Sequence, residues 1–248
     1  MRLVIVSDEE VGSPESAALL ESELRGAGCT LVFEAGRAKD AIITARKGTG
    51  GIRVIVTGKA AHAGNHHREG ANAIWALARI IDRVQALTDY ELGVTVSCGT
   101  ISGGEARNTV PDHAEALFDL RFIRIQDGEA LVERFGEEVA QAIAGLPGTS
   151  AKLEGGVSRP PLERSDGNVA LFTEYAACAE AAGLGHSEAS LIGGGSDAST
   201  TAAFGVPSID GLGPRGSGFH TKHELIEIPT LMQRAEALTR FLAGRLHA

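Results

Sequence analysis

The chain has 248 residues, 43% of them hydrophobic, and 23 basic against 32 acidic side chains give it a net charge of −9. That length fits one large domain or two small ones with a real core, and the acidic balance argues against nucleic acid or an anionic membrane as the main partner. No apolar run is long enough to span a bilayer, no signal peptide opens the chain, and Cys29, Cys98 and Cys178 are dispersed, as expected for the reduced thiols of a cytoplasmic protein.

Leu3-Val4-Ile5-Val6 reads as a strand apolar on both faces, the pattern of a central strand in a parallel sheet. It begins at residue 2, so either later strands supply both neighbours or the chain starts in the middle of a fold. It runs into Ser7-Asp8-Glu9-Glu10-Val11-Gly12-Ser13, an acidic turn before a helix over 14–27 that opens with Pro14. Adjacent glutamates at the end of a buried strand raise each other's pKa, and a metal or a proton transfer is the usual compensation. A solvated acidic turn, with Ser13 capping the helix, is the plainer alternative. Cys29 to Phe33 is a second short strand that ends at Glu34. The βαβ order implies a parallel sheet, whose carboxyl edge is where such folds build sites.

The pattern then changes. Ile52–Thr57, Val94–Cys98 and Ala114–Phe122 alternate like half-wet strands. Ile74, Leu77, Ala78, Ile81 and Val84 form one helical stripe and Leu131, Phe135, Val139 and Ile143 another. With a last strand over 151–157 the order is β-α-β-β-α-β, a ferredoxin-like α+β unit inserted at 51–158. Its antiparallel sheet should carry helices on one face. Residues 1–50 and 159–248 then form one α/β domain in two pieces. In the second piece an alanine-rich helix covers 167–182. Short strands at 190–192 and 206–209 flank the loop Gly193-Gly194-Gly195-Ser196-Asp197. Gly211–Gly218 delivers His220, and a helix from Pro229 closes the chain.

Glu9, Glu10, Glu34, the 193–197 loop and His220 thus converge on one sheet edge. Carboxylates with a histidine suit zinc, and a glycine-rich loop entering a helix offers backbone N–H groups to an anion. On these motifs, together with Ala61-His62-Ala63-Gly64, Asn108-Thr109-Val110-Pro111, Asp119-Leu120-Arg121 and Arg159-Pro160, the sequence resembles the di-zinc exopeptidases and amidohydrolases. That family includes the glutamate carboxypeptidases, acetylornithine deacetylases, succinyl-diaminopimelate desuccinylases and aminoacylases, and the bacterial glutamate carboxypeptidases are nearest in pattern.

The resemblance implies a mainly parallel zinc-exopeptidase-like sheet with helices, and an inserted lid and dimerisation domain at 51–158. It makes Glu9 the general base, Glu10 and His220 ligands of one zinc, and Glu34 a ligand of the other. It has His62 reach the partner's site in a homodimer to stabilise the oxyanion. Asn108 and Arg159 would hold the substrate's free carboxylate, with Arg121 a further contact and Gly194 and Gly195 lining the pocket. The implied reaction is zinc-dependent hydrolysis of an amide or peptide bond beside a free carboxylate.

Plainer readings stand beside these. Arg121 is equally an exposed strand arginine, Asp197 is read as a cap for a helix starting at Ala198, and His66, His67 and His223 are read as surface residues. The family's first metal histidine, in a His-x-Asp segment, and its bridging aspartate come before the Glu-Glu turn, and nothing in Met1–Val6 matches them. The expectation is an N-terminally truncated catalytic domain that carries fewer than two zincs, or a non-catalytic dimerising fragment.

Overall fold

The computed structural model describes residues 1–246, and the chain divides into two units, residues 1–47 with those from Arg159 onward, and Gly48–Ser158. The first unit opens with the helix α1 (Ser16–Glu23) and the short strand β1 (Thr30–Leu31). Residues 1–6 form no strand, and Leu3 and Ile5 are 79% and 83% exposed. The expected central strand therefore has no ladder, since no segment among the described residues pairs with it.

The second unit is built from β2 (Gly48–Thr57), β3 (Ala61–His62), α2 (Ala73–Gln85), β4 (Thr95–Gly103), β5 (Thr109–Val110), β6 (His113–Phe122), α3 (Ile125–Ile143) and β7 (Ser150–Arg159). Its sheet runs β4-β6-β2-β7, with β6 antiparallel to both β2 and β4. Period-two alternation sends Ala114, Ala116, Phe118, Leu120 and Phe122 of β6 inward, opposite Ile52, Val54 and Val56 of β2. Leu131, Phe135 and Val139 of α3 pack on that face, and the Phe118 and Phe135 rings meet edge to face at 5.1 Å. The α2 stripe is rotated from the expected one. Ala73, Ala76, Leu77, Ile80 and Val84 are buried, whereas Ile74 is 40% exposed. Asn72 caps α2, accepting the Trp75 N–H at 2.8 Å, and so fixes where the helix starts.

The chain returns to the first unit with α4 (Asp166–Ala181), α5 (Asp197–Ala203), β8 (Ser208–Ile209), β9 (Gly216–Ser217), β10 (Leu225–Ile226) and α6 (Ile228–Leu246). β1 pairs in parallel with β8, Ile43 bridges Asp210 in the antiparallel sense, and Ile42 and Arg46 bridge Glu188 and Ile192 in parallel. Four short segments thus lie side by side as a mixed sheet. α4 and α6 share a core of Ile42, Leu171, Tyr175, Ile209, Leu212 and Phe241. Among the described residues no helix is long and apolar enough to cross a membrane.

Candidate active site

The acidic turn is shaped by its own side chains. Asp8 accepts the N–H groups of Glu15 and Ser16 at 2.9 and 3.0 Å, which satisfies the free amides at the start of α1. This was the cap expected of Ser13. Ser13 is buried instead and donates to Asp197 Oδ1 at 2.5 Å. Gly12 closes a single 3₁₀ turn over Glu9–Val11 at φ 94°, a conformation that glycine adopts without penalty.

The two glutamates point different ways. Glu9 accepts from the Arg159 guanidinium through its carboxylate, and its backbone carbonyl accepts from Arg159 Nη2 at 3.0 Å. Glu10 is exposed and faces His220, with Nδ1 3.6 Å from Oε2. His220 sits at φ 61° in a turn fastened by the Thr221 hydroxyl, which donates to the Gly218 carbonyl at 2.6 Å. A left-handed conformation at a non-glycine residue carries a cost on the order of 1 kcal/mol or more, and such strain gathers at functional sites.

Glu34 feels the charges of Glu9, Glu10 and the buried Asp210. Burial, then the charges of Asp210 and Glu9, push its carboxyl from about 4.5 up to about 6, while Arg46 opposes the rise. Glu10, Glu34, Arg37, Phe219, His220 and Glu224 line one polar hollow. The three side chains that the resemblance nominates as metal ligands therefore come to the same place. They stop short of a cage, because no three His, Cys, Asp or Glu side chains among the described residues are grouped as metal ligands. The donor types suit zinc, but as placed these side chains do not enclose an ion.

The glycine loop is anchored from below. Arg46 donates from Nε to Asp210 Oδ2 at 2.6 Å and from Nη1 to the Gly194 carbonyl at 3.0 Å. Ser196 donates to Asp210 Oδ2 at 2.6 Å. Ser196, not Asp197, is the cap of α5, its hydroxyl accepting the Ala198 N–H at 3.2 Å. Asp197 is the first helical residue. Burial raises its carboxyl, against the pull of Ser13 and Arg159.

Arg159, proposed from sequence to hold a substrate carboxylate, is buried and already engaged by Glu9 and by the Ser13 hydroxyl at 3.1 Å. A side chain at Gly195 would place its Cβ 2.7 Å from Arg159 Cδ, whereas Gly193 and Gly194 have open space. Gly195 therefore makes room for the arginine, and Gly194 is exposed.

In the second unit, His62 and Asn108 lie at the two-stranded β3–β5 pairing. His62 is paired with Thr109, and Ala63 donates its N–H to the Asn108 carbonyl at 2.9 Å. Both residues are exposed. Arg121 on β6 pairs with Asp119 at 2.7 Å, as expected of a strand arginine.

Sequence reasoning missed Arg37, Arg46, Asp210 and Glu224. A signal existed for Asp210, an acidic residue at the end of the apolar run Val206–Ile209 on the edge already suspected. Arg37 carried none, since its place depends on how the 35–41 loop folds.

Residues 44–145 match the peptidase dimerisation domain of the M20 family. Carboxypeptidase G2 of Pseudomonas sp. (strain RS-16) is 31% identical over 246 residues, a match that covers 97% of this chain and 57% of that protein. The crystal structure of aminopeptidase PepT from Bacillus cereus superposes with a TM-score of 0.83 at 27% identity, over 96% of this chain and 62% of that one. The same fold, at a TM-score of 0.70 and 17% identity over 96% of this chain and 63% of that one, occurs in the Bacillus subtilis YXEP protein, described as a dinuclear metal binding peptidase from the M20 family. The chain spans less than two thirds of the length of each of these relatives. The inserted unit thus carries the dimerisation domain of the M20 peptidases, and the chain as a whole is similar to M20 peptidases in sequence and fold.

Proposed function

We propose that this chain supplies part of the site of a zinc-dependent hydrolase that cleaves an amide or peptide bond next to a free carboxylate, in the manner of a glutamate carboxypeptidase. The observation that supports it most is the meeting of Glu10, Glu34 and His220 at one hollow, with the Glu9 carboxylate on the same turn. In this reading Glu9 takes a proton from the attacking water. The water oxygen bonds to the carbonyl carbon, the C–N bond breaks, and Glu9 returns the proton to the leaving amine. His62 donates to the oxyanion of the addition step, in the partner's site of a homodimer. Arg159 now occupies Glu9, so a substrate carboxylate that takes over the guanidinium would release the base. Asn108 is a second candidate contact for that carboxylate.

An acetylornithine-deacetylase-like or aminoacylase-like amidohydrolase runs the same chemistry on other acyl groups. A non-catalytic dimerising chain is the other reading, and the donor set that falls short of a cage favours it. The deciding assay incubates the purified chain with zinc and N-acyl-glutamate or N-acyl-ornithine, and follows free amine. Hydrolysis lost in Glu9→Gln supports the hydrolase. No turnover with either substrate sinks it for this chain.

A further inference from the structure

The ring of His62 is held by the backbone that follows it. Its Nδ1 accepts the N–H of Gly64 and the N–H of Asn65, each at 3.1 Å, while the His62 carbonyl accepts the His66 N–H at 2.9 Å. Two donors on one ring nitrogen occupy its lone pair. The proton of the neutral imidazole then belongs on Nε2. A Cβ at position 64 would lie 3.3 Å from His62 Cε1 and 3.5 Å from Nδ1, so glycine there leaves the ring its place. The ring is exposed, and His66 is engaged elsewhere, its Nδ1 lying 2.9 Å from Glu69 Oε1.

We propose that Gly64 and Asn65 are positioning residues that lock His62 as a hydrogen-bond donor through Nε2. This rests on the reading of His62 as an oxyanion donor, and it specifies how the fold makes it one. A histidine whose two tautomers exchange freely offers a donor only part of the time. One whose Nδ1 is bound by amides offers it throughout, and it is not available at Nδ1 as a base. Among the described residues the hydrogen bonds to the His62 ring come from main chain and not from a carboxylate. The orienting groups are main-chain N–H donors, which leave the outer ring N–H free for a developing negative oxygen.

Two measurements on the full chain test the lock. The first is long-range proton–nitrogen NMR of the histidine rings at a pH where they are neutral, with His62 assigned by its loss in His62→Gln. We expect His62 to hold the Nε2–H form more completely than exposed His67 and His223 in the same spectrum, and to move toward their level in Asn65→Pro, which removes one of the two donors. A His62 tautomer ratio equal to theirs overturns the proposal. The second does not depend on that variant folding. Amide exchange at Gly64 and Asn65 should speed up at least tenfold in His62→Ala, with the remaining amides of β3 and β5 slower to respond, and unchanged exchange at both also overturns it. A locked ring with hydrolysis indifferent to His62→Gln would remove the oxyanion reading and leave the lock. Hydrolysis that needs His62 while its tautomers exchange freely would remove the lock alone.

Discussion

Arg159 donates to both the carboxylate of Glu9 and, at 3.0 Å, its main-chain carbonyl, so the last residue of β7 fixes the acidic turn. Removing one member of this partly buried ion pair leaves the other poorly compensated, at a cost of about 1–3 kcal/mol. Arg159→Met should destabilise the first unit by that order, and Arg159→Lys by less. Hydrogen exchange would check it. Protection should fall at residues 8–16 and 195–200 and stay unchanged across the β2–β6 pairing. An even loss over both units would argue against a local tie.

Glu34 should leave a mark on the pH dependence of stability. Its folded value, about 6, lies above the ordinary value of 4.5, so the native state binds the proton more tightly than the unfolded chain. The stability this gives is fully present below about pH 4.5 and is lost as pH rises through about 6. The gap is worth at most about 2 kcal/mol, reduced by the solvent that still reaches the group. In metal-free buffer, Glu34→Gln should flatten the stability profile between these pH values and raise the melting temperature above them.

The glycines of the 193–197 loop should differ sharply. Gly195→Ala forces Arg159 to move and should cost about 1–3 kcal/mol. Gly194→Ala meets nothing within 4 Å and should change stability by about 0.5 kcal/mol or less. Thermal melts of the two variants side by side give the comparison.

The inserted unit carries its own core and a family match to a dimerisation domain. A fragment of residues 48–158 should fold alone and sediment as a dimer. Phe135→Ala, which empties the space beside Phe118, should cost it about 3–5 kcal/mol. A monomeric, folded fragment would place the dimer contacts elsewhere.

The inserted unit was legible because its signal is local. Alternation in β6 and the Leu131–Phe135–Val139 stripe of α3 follow from which face each residue buries, and a neighbour-independent rule reads them. The first unit was legible mainly by motif. Its strands are two residues long or single bridges, and Leu3–Val6 has the apolar content of a strand without a partner to pair with. The site divides the same way. Glu10 and Glu34 stood out because they follow apolar runs and His220 because it follows a glycine-rich loop, and the resemblance supplied their roles. The engagement of Arg159 by Glu9, the cap made by Asp8 and the cradle of Arg46 and Asp210 depend on contacts between residues as far as 184 apart in sequence, as for Ser13 and Asp197.

The hollow of Glu10, Glu34 and His220 is proposed as part of a metal-dependent hydrolase site. Zinc titration of the purified chain beside Glu34→Gln, read by calorimetry and by metal content after dialysis, addresses it most directly. We expect roughly one zinc or fewer per chain, held through these residues and weakened at least tenfold by Glu34→Gln. Zinc uptake indifferent to that substitution would contradict it.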